Sequence, residues 1–228
     1  MNIKLNLEIP QYSQEKAYCC VPACLQQIFA FYHKKIEQAE ILENLSMPKH
    51  GMSIPQAGIF TLKTGFKPLI ITNNIYIFDP SWFRLTVKEL LKRLIERRKY
   101  VDRYNQSVID DFLQYFKEKG RIQFDTLSTE LLVKYLEKNI PIIAELASTF
   151  LYKMRKSSTP GSFDDANRGE IEGHGVVIAG YINHTFKIID PDVKNNPYSK
   201  DGIYWISEQD LLASIFISEG KSLLLISK

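Results

Sequence analysis

Residues 18–32 read Tyr-Cys-Cys-Val-Pro-Ala-Cys-Leu-Gln-Gln-Ile-Phe-Ala-Phe-Tyr, and they predict the helix on which the fold depends. Apolar residues recur there with the i, i+3, i+4, i+7 spacing of an amphipathic helix with a buried face: Leu25, Ile28, Phe29 and Tyr32. Pro22 fits only in the first turn, where its missing N–H leaves no hydrogen bond unmade. Cys20 therefore lies at the helix start, where the helix dipole and free N–H groups stabilise a thiolate.

Three residues outside this helix have the chemistry that a reactive thiol requires. Gln14 lies six positions before Cys20. His174 lies far downstream in Gly-His-Gly, directly before an apolar run, and Asp190 follows in Ile-Ile-Asp-Pro. In thiol-based acyl transfer a cysteine attacks a carbonyl, a histidine takes its proton, a carboxylate orients the histidine and an amide donates to the oxyanion. The order Gln, Cys, His, Asp therefore indicates such a site.

The first 139 residues have a mainly helical pattern. Besides the helix of Cys20, apolar periodicity and capping residues predict helices over 37–45, 53–63, 86–100, 107–119 and 128–138. Runs of strand-forming residues predict strands over 3–9, 66–71 and 75–78.

After residue 139 the pattern changes to short apolar runs bounded by Gly, Pro, Asn or Asp. These runs predict one antiparallel sheet with a short helix over 207–216, its strands covering 140–146, 175–181, 185–189, 202–206 and 222–226. The polar stretch 157–173 predicts a long loop that ends at His174 and partly covers a cleft. We expect a single α+β domain over residues 1–228, with 1–139 mainly helical and 140–228 mainly sheet.

Two segments resemble one family of enzymes. Leu7-Glu-Ile-Pro-Gln-Tyr-Ser-Gln14, followed by the cysteine helix, resembles the opening of the bacteriocin-processing (double-glycine leader) cysteine peptidases. His174-Gly-Val-Val-Ile-Ala-Gly-Tyr181 and Asp190-Pro191 resemble the second half of that family. The resemblance covers roughly residues 5–33 and 128–226. It implies a papain-like cysteine peptidase fold, in which a helical front carries the nucleophile helix packed on an antiparallel β-sheet.

The resemblance also implies a role for each site residue: Cys20 as nucleophile, His174 as base, Asp190 as the group that orients it, and Gln14 as oxyanion donor. Val21 departs from the pattern, because the family usually has Gly there, and a β-branched residue crowds the backbone beside the nucleophile.

The sequence leaves alternatives for two of these positions. Cys19 is adjacent to Cys20 and competes with it as nucleophile, although the spacing from Gln14 favours Cys20. Cys24, one turn further along the helix, is interpreted as a core residue. Asp192 is the local competitor of Asp190.

Composition excludes several classes of function. The chain has 228 residues and a net charge of +3, with no dense basic run that would indicate a nucleic-acid partner. Three cysteines within six positions favour neither a disulfide framework nor a zinc site, and no cofactor or metal is predicted. The start of the chain alternates like a strand, and no apolar run approaches the roughly 20 residues of a membrane span. We therefore expect a cytoplasmic protein without a membrane partner.

The sequence predicts a cysteine-dependent hydrolase of a peptide or other amide bond, acting through a thioester acyl-enzyme. Two alternatives remain open at this point. An acyltransferase would transfer the acyl group of the same thioester to an amine, releasing the cysteine, and a binding protein would keep the fold without turnover. The substrate, the oligomeric state and the role of residues 84–127 are not predicted.

Overall fold

The computed structural model describes residues 4–43 and 51–228. The helices are α1 (Cys20–Phe31), α2 (Gln38–Glu43), α3 (Ile54–Lys63), α4 (Val87–Arg97), α5 (Arg103–Lys117), α6 (Thr129–Leu136), α7 (Ser148–Leu151) and α8 (Glu208–Ile217). Two 3-10 helices span Pro80–Arg84 and Arg98–Tyr100. The strands are β1 (Lys4–Asn6), β2 (Lys67–Thr72), β3 (Arg121–Gln123), β4 (Ile142–Ala147), β5 (Gly173–Ile182), β6 (Thr185–Ile189), β7 (Ile203–Ser207) and β8 (Ser222–Ser227).

The eight strands of the described residues form one sheet. Their order is β3-β2-β8-β4-β5-β6-β7, and β1 pairs with β5. Only the pairing of β2 with β3 is parallel, so the predicted antiparallel sheet of residues 140–228 is confirmed. β1, β2 and β3 come from the mainly helical part and extend this same sheet. The fold class is α+β, as predicted.

The hairpin of β5 and β6 brings distant sequence positions together. Asn183 and His184 form its two-residue turn, with φ of 46° and 62°, which is the backbone that a tight hairpin requires. Val177 on β5 pairs with Ile189 on β6. His174, near the start of β5, and Asp190, just past the end of β6, therefore lie at the same end of the sheet.

The prediction of a strand over 75–78 is wrong. These residues form a turn, because Asn74 Oδ1 accepts the backbone N–H of Tyr76 at 3.0 Å and the Asn74 carbonyl accepts those of Ile77 and Phe78. Asn side chains compete with strand pairing in this way. Ile77 and Phe78 are nevertheless buried, as their apolar character predicts, although their backbone forms a turn and not a strand.

Other boundaries also differ from the sequence prediction. α5 begins four residues before 107, because Asp102 Oδ1 accepts the backbone N–H of Asn105 at 2.9 Å and caps the helix there. The predicted strand over 3–9 is reduced to β1, and residue 3 lies outside the described residues. The predicted helix over 37–45 corresponds to α2, and residues 44 and 45 also lie outside them.

α1 packs on β5 and contributes a continuous set of buried residues, from Val21 to Phe29, to the core. The part of the chain that the structure describes contains no helix with the length and apolar character to cross a bilayer.

Candidate active site

The thiol of Cys20 lies where the first turn of α1 meets β5. Gly175 makes this close approach possible, because a Cβ added to it would lie 3.7 Å from Cys20 Sγ and 2.9 Å from Val21 Cγ2. Val21 is buried and packs on this glycine. The bulk that a valine adds beside Cys20 is therefore placed against the strand backbone.

His174 connects the thiol to a buried carboxylate. Its Nε2 lies 2.8 Å from Asp190 Oδ1, and the ring also forms a hydrogen bond with the Cys20 side chain. Since Asp190 engages Nε2, Nδ1 is the ring nitrogen that faces the thiol. His174 is only 7% exposed and Asp190 is fully buried. The structure thus brings together three of the four residues predicted from the sequence.

Asp190 accepts hydrogen bonds on both carboxylate oxygens. Oδ1 accepts from His174 and from the backbone N–H of Asp192 at 2.9 Å. Oδ2 accepts from the hydroxyls of Tyr152 and Tyr204, each at 2.7 Å. All four donors are supplied by the chain, so the buried negative charge is compensated without solvent.

Sequence reasoning missed the two tyrosines. Tyr204 occupies an inward-facing position of β7, and Tyr152 directly follows α7. Both are buried, at 5% and 4% exposure, and a buried tyrosine hydroxyl requires a partner. From the sequence one could expect that these hydroxyls have hydrogen-bond partners, but not that the partner is Asp190.

The ion pair of His174 and Asp190 changes the pKa of both groups. Burial alone would lower the pKa of His174, but the charge of Asp190, together with hydrogen bonds to Asp190 and Cys20, holds it well above its usual value. Burial likewise opposes ionisation of Asp190. The charge of His174 and hydrogen bonds from His174, Tyr204 and Tyr152 outweigh it and lower the pKa of this carboxyl. The site therefore favours the imidazolium that forms when His174 takes the proton of the Cys20 thiol.

Gln14 lies next to the segment that carries Asp190. Its backbone N–H donates to the Pro191 carbonyl at 2.9 Å, and Gln11 Nε2 donates to the Asp190 carbonyl at 3.3 Å. Gln14 Oε1 is buried and has no hydrogen-bond partner among the described residues. The buried Oε1 of Gln27, on α1, likewise has no partner among the described residues.

Three further glutamines, which the sequence analysis did not single out, hold the segment around Gln14. Gln27 Nε2, from α1, donates to the Tyr12 carbonyl at 3.0 Å. Gln38, from α2, donates to the Ser13 carbonyl and to Gln26 at 2.9 Å, and its Oε1 accepts the Glu15 N–H. α1 and α2 therefore fix the segment around Gln14 relative to Cys20.

The residues that competed with these assignments lie elsewhere. Cys19 and Cys24 are fully buried, and burial raises the pKa of both thiols. Cys24 donates to the Gly175 carbonyl at 3.3 Å, as a core residue of α1. The carboxylate of Asp192 accepts from the backbone and side chain of Asn195 and not from His174.

The polar stretch predicted as a loop, 157–173, contains internal structure. Ser157 and Glu170 form an isolated antiparallel bridge. The Asp164 carboxylate accepts from Ser158 and Ser162, and these hydrogen bonds lower its pKa to about 2. Its motion relative to the cleft stays a prediction. Among residues 4–43 and 51–228, no group of acidic, histidine or cysteine side chains has a metal-binding arrangement.

Comparison with known proteins gives a family and a fold. The model of the Peptidase_C39-like family matches residues 6–207. A proposed C39-like peptidase from Bacillus anthracis superposes with a TM-score of 0.53 at 13% identity, covering 99% of this chain and 98% of that one.

Two further solved structures align over most of their length. One is the peptidase domain of Streptococcus ComA, a bifunctional ABC transporter of a quorum-sensing pathway (TM-score 0.49, 14% identity, 96% and 98% coverage). The other is a double-glycine-motif protease of an AMS/PCAT transporter, in complex with the leader peptide (TM-score 0.49, 12% identity, 99% and 99% coverage). No curated protein matches the chain.

Proposed function

The chain belongs to the Peptidase_C39-like family, and we propose that it hydrolyses a peptide or another amide bond through a thioester on Cys20. The observation that carries the proposal is the buried His174–Asp190 pair, which also hydrogen-bonds the one cysteine of the three that is not fully buried. A histidine that only stabilised the fold would not require both a thiol on one side of its ring and, on the other, a carboxylate whose two oxygens already accept four hydrogen bonds.

The proposed reaction begins with transfer of the Cys20 proton to His174 Nδ1. The thiolate attacks the carbonyl carbon of the substrate, and the resulting oxyanion accepts from the Gln14 side chain and the Cys20 backbone N–H. His174 then gives its proton to the departing amine, which leaves a thioester on Cys20. Asp190 keeps the imidazole in the required tautomer and orientation through Nε2.

Hydrolysis of the thioester completes the cycle. A water molecule replaces the amine, His174 takes one of its protons, and attack on the thioester carbonyl releases the carboxylic acid. The proton returns from His174 to the sulfur, which restores the thiol. An added amine can replace water in this step, and its incorporation into the product would assign the activity to acyl transfer.

The test compares two cysteines on the same helix. A mixture of unstructured peptides is incubated with the wild type, Cys20→Ser and Cys24→Ser, and new termini are counted by mass spectrometry. We expect Cys20→Ser to lose at least about a thousandfold in turnover, because a serine hydroxyl is a far weaker nucleophile beside the same base. Cys24→Ser is the control, since a hydroxyl can still donate to the Gly175 carbonyl.

A thiol probe gives the second readout, independent of the substrate. Iodoacetamide at pH 6 should add once to the wild type, once to Cys24→Ser and not to Cys20→Ser, and His174→Ala should slow the addition. Equal alkylation of all cysteines, or indifference to His174, would show that the pair does not activate the thiol.

A further inference from the structure

Glu145 lies one strand away from the nucleophile. It is paired with Gly175 in the register of β4 and β5. Residues that pair across antiparallel strands have their Cα atoms about 5 Å apart and direct their side chains to the same face of the sheet. The Cβ position of Gly175 is 3.7 Å from Cys20 Sγ. Glu145 therefore projects from the face of the sheet on which the thiol lies.

Glu145 also lines a pocket of ≈ 200 Å³. Met52 and Val108 supply apolar wall, and Gly51 forms part of the rim. A Cβ added to Gly51 would lie 3.3 Å from the carbonyl of Tyr18, two residues before the nucleophile. Two of the residues that line the pocket are therefore close to the surroundings of Cys20: Glu145 pairs with Gly175, and Gly51 lies beside Tyr18. Since an apolar cavity of about 150 Å³ holds a benzene molecule, this one has room for a single long side chain.

The Glu145 carboxylate has no hydrogen-bond or ion-pair partner among the described residues. Gly220 makes room for it, because a methyl group there would overlap the carboxylate. Burial, together with the charge of Glu219, raises its pKa to about 7, and Lys221 opposes this only in part. Lys221 Nζ donates to the Ser218 carbonyl, so this ammonium group is engaged elsewhere.

The second carboxylate of the pocket differs in this respect. Asp111 accepts from Ser53 Oγ at 2.7 Å and from Gln56 Nε2 at 3.2 Å, which joins it to the start of α3. It has a structural function as a partner of that capping box, whereas no described residue pairs with the carboxylate of Glu145. Arg103 also lines the pocket, and no ion pair among the described residues joins it to Glu145. A carboxylate that no described residue pairs, in a pocket with apolar wall from Met52 and Val108, matches the charge and shape of a side chain with an apolar stem and a cationic head.

We propose that this pocket binds a lysine or arginine side chain of the substrate, with Glu145 as the residue that determines the specificity. The proposal rests on the proposed function, since it deepens the description of the same site. Glu145 is a specificity residue and takes no part in the bond-breaking steps.

The order of the strands places this side chain on the acyl part of the substrate. Glu145 and Gly220 lie on the β4–β8 side of Cys20, whereas Asp190 and Gln14 lie on the β6 side. The amine that departs must lie next to His174, on β5. The chain of the substrate therefore continues away from His174 towards the pocket through its acyl residues.

The experiment uses two matched peptide acyloxymethyl ketones, which place either lysine or norleucine at each acyl position and alkylate Cys20. The rate of labelling is followed by intact mass. In the wild type, one acyl position should favour lysine by about tenfold or more, the range typical of a hydrogen bond to a charged group. Glu145→Gln should reduce this ratio to near unity. Glu219→Gln, which removes a neighbouring exposed charge, should retain most of it.

The pH dependence of the ratio gives an independent check. The titratable groups that face Glu145 or the pocket are Glu219 and Lys221 before β8, and Arg103, Tyr104 and Asp111 on α5. The ratio should rise from pH 6 to pH 8 as Glu145 ionises, and the dependence of the Cys–His pair cancels because both probes share it. Equal labelling by both probes at every position, with Cys20 reactive, would overturn the pocket and leave the proposed function intact. Absence of Cys20 labelling by either probe would overturn the proposed function instead.

Discussion

Asp190 and Glu145 lie on opposite sides of β5, and they differ in their hydrogen bonds and in the direction of their pKa shifts. Asp190 receives four hydrogen bonds from the chain, and its pKa is lowered despite complete burial. Glu145 receives none from the described residues, and burial raises its pKa to about 7. Donors from the chain thus satisfy the carboxylate of Asp190, whereas no described residue pairs with that of Glu145.

The difference indicates that Asp190 binds groups of the protein itself, whereas Glu145 is available to bind a ligand. Donors fixed in the fold favour the ionised form of Asp190, as its proposed role in orienting His174 requires. A carboxyl group without donors destabilises the free protein, and a ligand that supplies a donor stabilises it. Removing each group should therefore change stability in opposite directions.

The largest expected effect comes from Asp190→Ala. This change leaves the hydroxyls of Tyr152 and Tyr204 and the ring of His174 without their acceptor, so we expect a loss of about 3–5 kcal/mol in the free energy of unfolding. Urea denaturation at pH 7 measures it. Asp201→Ala removes an exposed carboxylate of the same segment and should cost below about 1 kcal/mol. A loss for Asp190→Ala no greater than that of Asp201→Ala would show that the buried network contributes little.

Glu145→Gln should have a smaller effect, of the opposite sign. The folded pKa of about 7 is above the ordinary 4.5, so the folded state binds more protons than the unfolded state between these values, and wild-type stability falls as pH rises through them. The neutral amide does not carry this penalty. We expect the variant to exceed the wild type by on the order of 2 kcal/mol at pH 8, and by little at pH 4.5. A gap independent of pH would contradict the assigned burial.

The contrast between the two carboxylates also separates what the sequence predicts from what it does not. Cys20, His174 and Asp190 could be predicted because each is marked by its immediate neighbours: a helix start, a glycine pair before a strand, and a turn after one. Glu145 is an ordinary residue of an apolar strand. Its meaning depends on pairing with Gly175, thirty positions away, and on Gly220, which no local pattern specifies.

The same reasoning explains the errors in the fold. Strong local signals, such as Ser53 as N-cap and Pro55 in the first turn of α3, gave the correct element. The segment 75–78 was assigned wrongly because the Asn74 side chain decided its backbone, while apolar residues suggested a strand. β3 was missed because three residues of mixed polarity pair with β2 only in the assembled sheet.

The smallest effect, and the finest test of the contrast, concerns the donors to Asp190. Tyr152→Phe and Tyr204→Phe each remove one hydroxyl from Oδ2, and each should cost about 1 kcal/mol of stability. With a donor lost, the pKa of Asp190 rises towards its usual value, so the acid limb of kcat/KM should move to higher pH and activity should fall more at pH 4.5 than at pH 7. Tyr198→Phe is the matched control, because Tyr198 packs on Tyr204 but donates to the Leu151 carbonyl. Since both hydroxyls act on one oxygen, the double variant should move the acid limb by an amount that differs from the sum of the single shifts. If the tyrosine variants lose stability without moving the acid limb, the two hydroxyls contribute to folding alone. Their hydrogen bonds to Asp190 would then have no part in the chemistry.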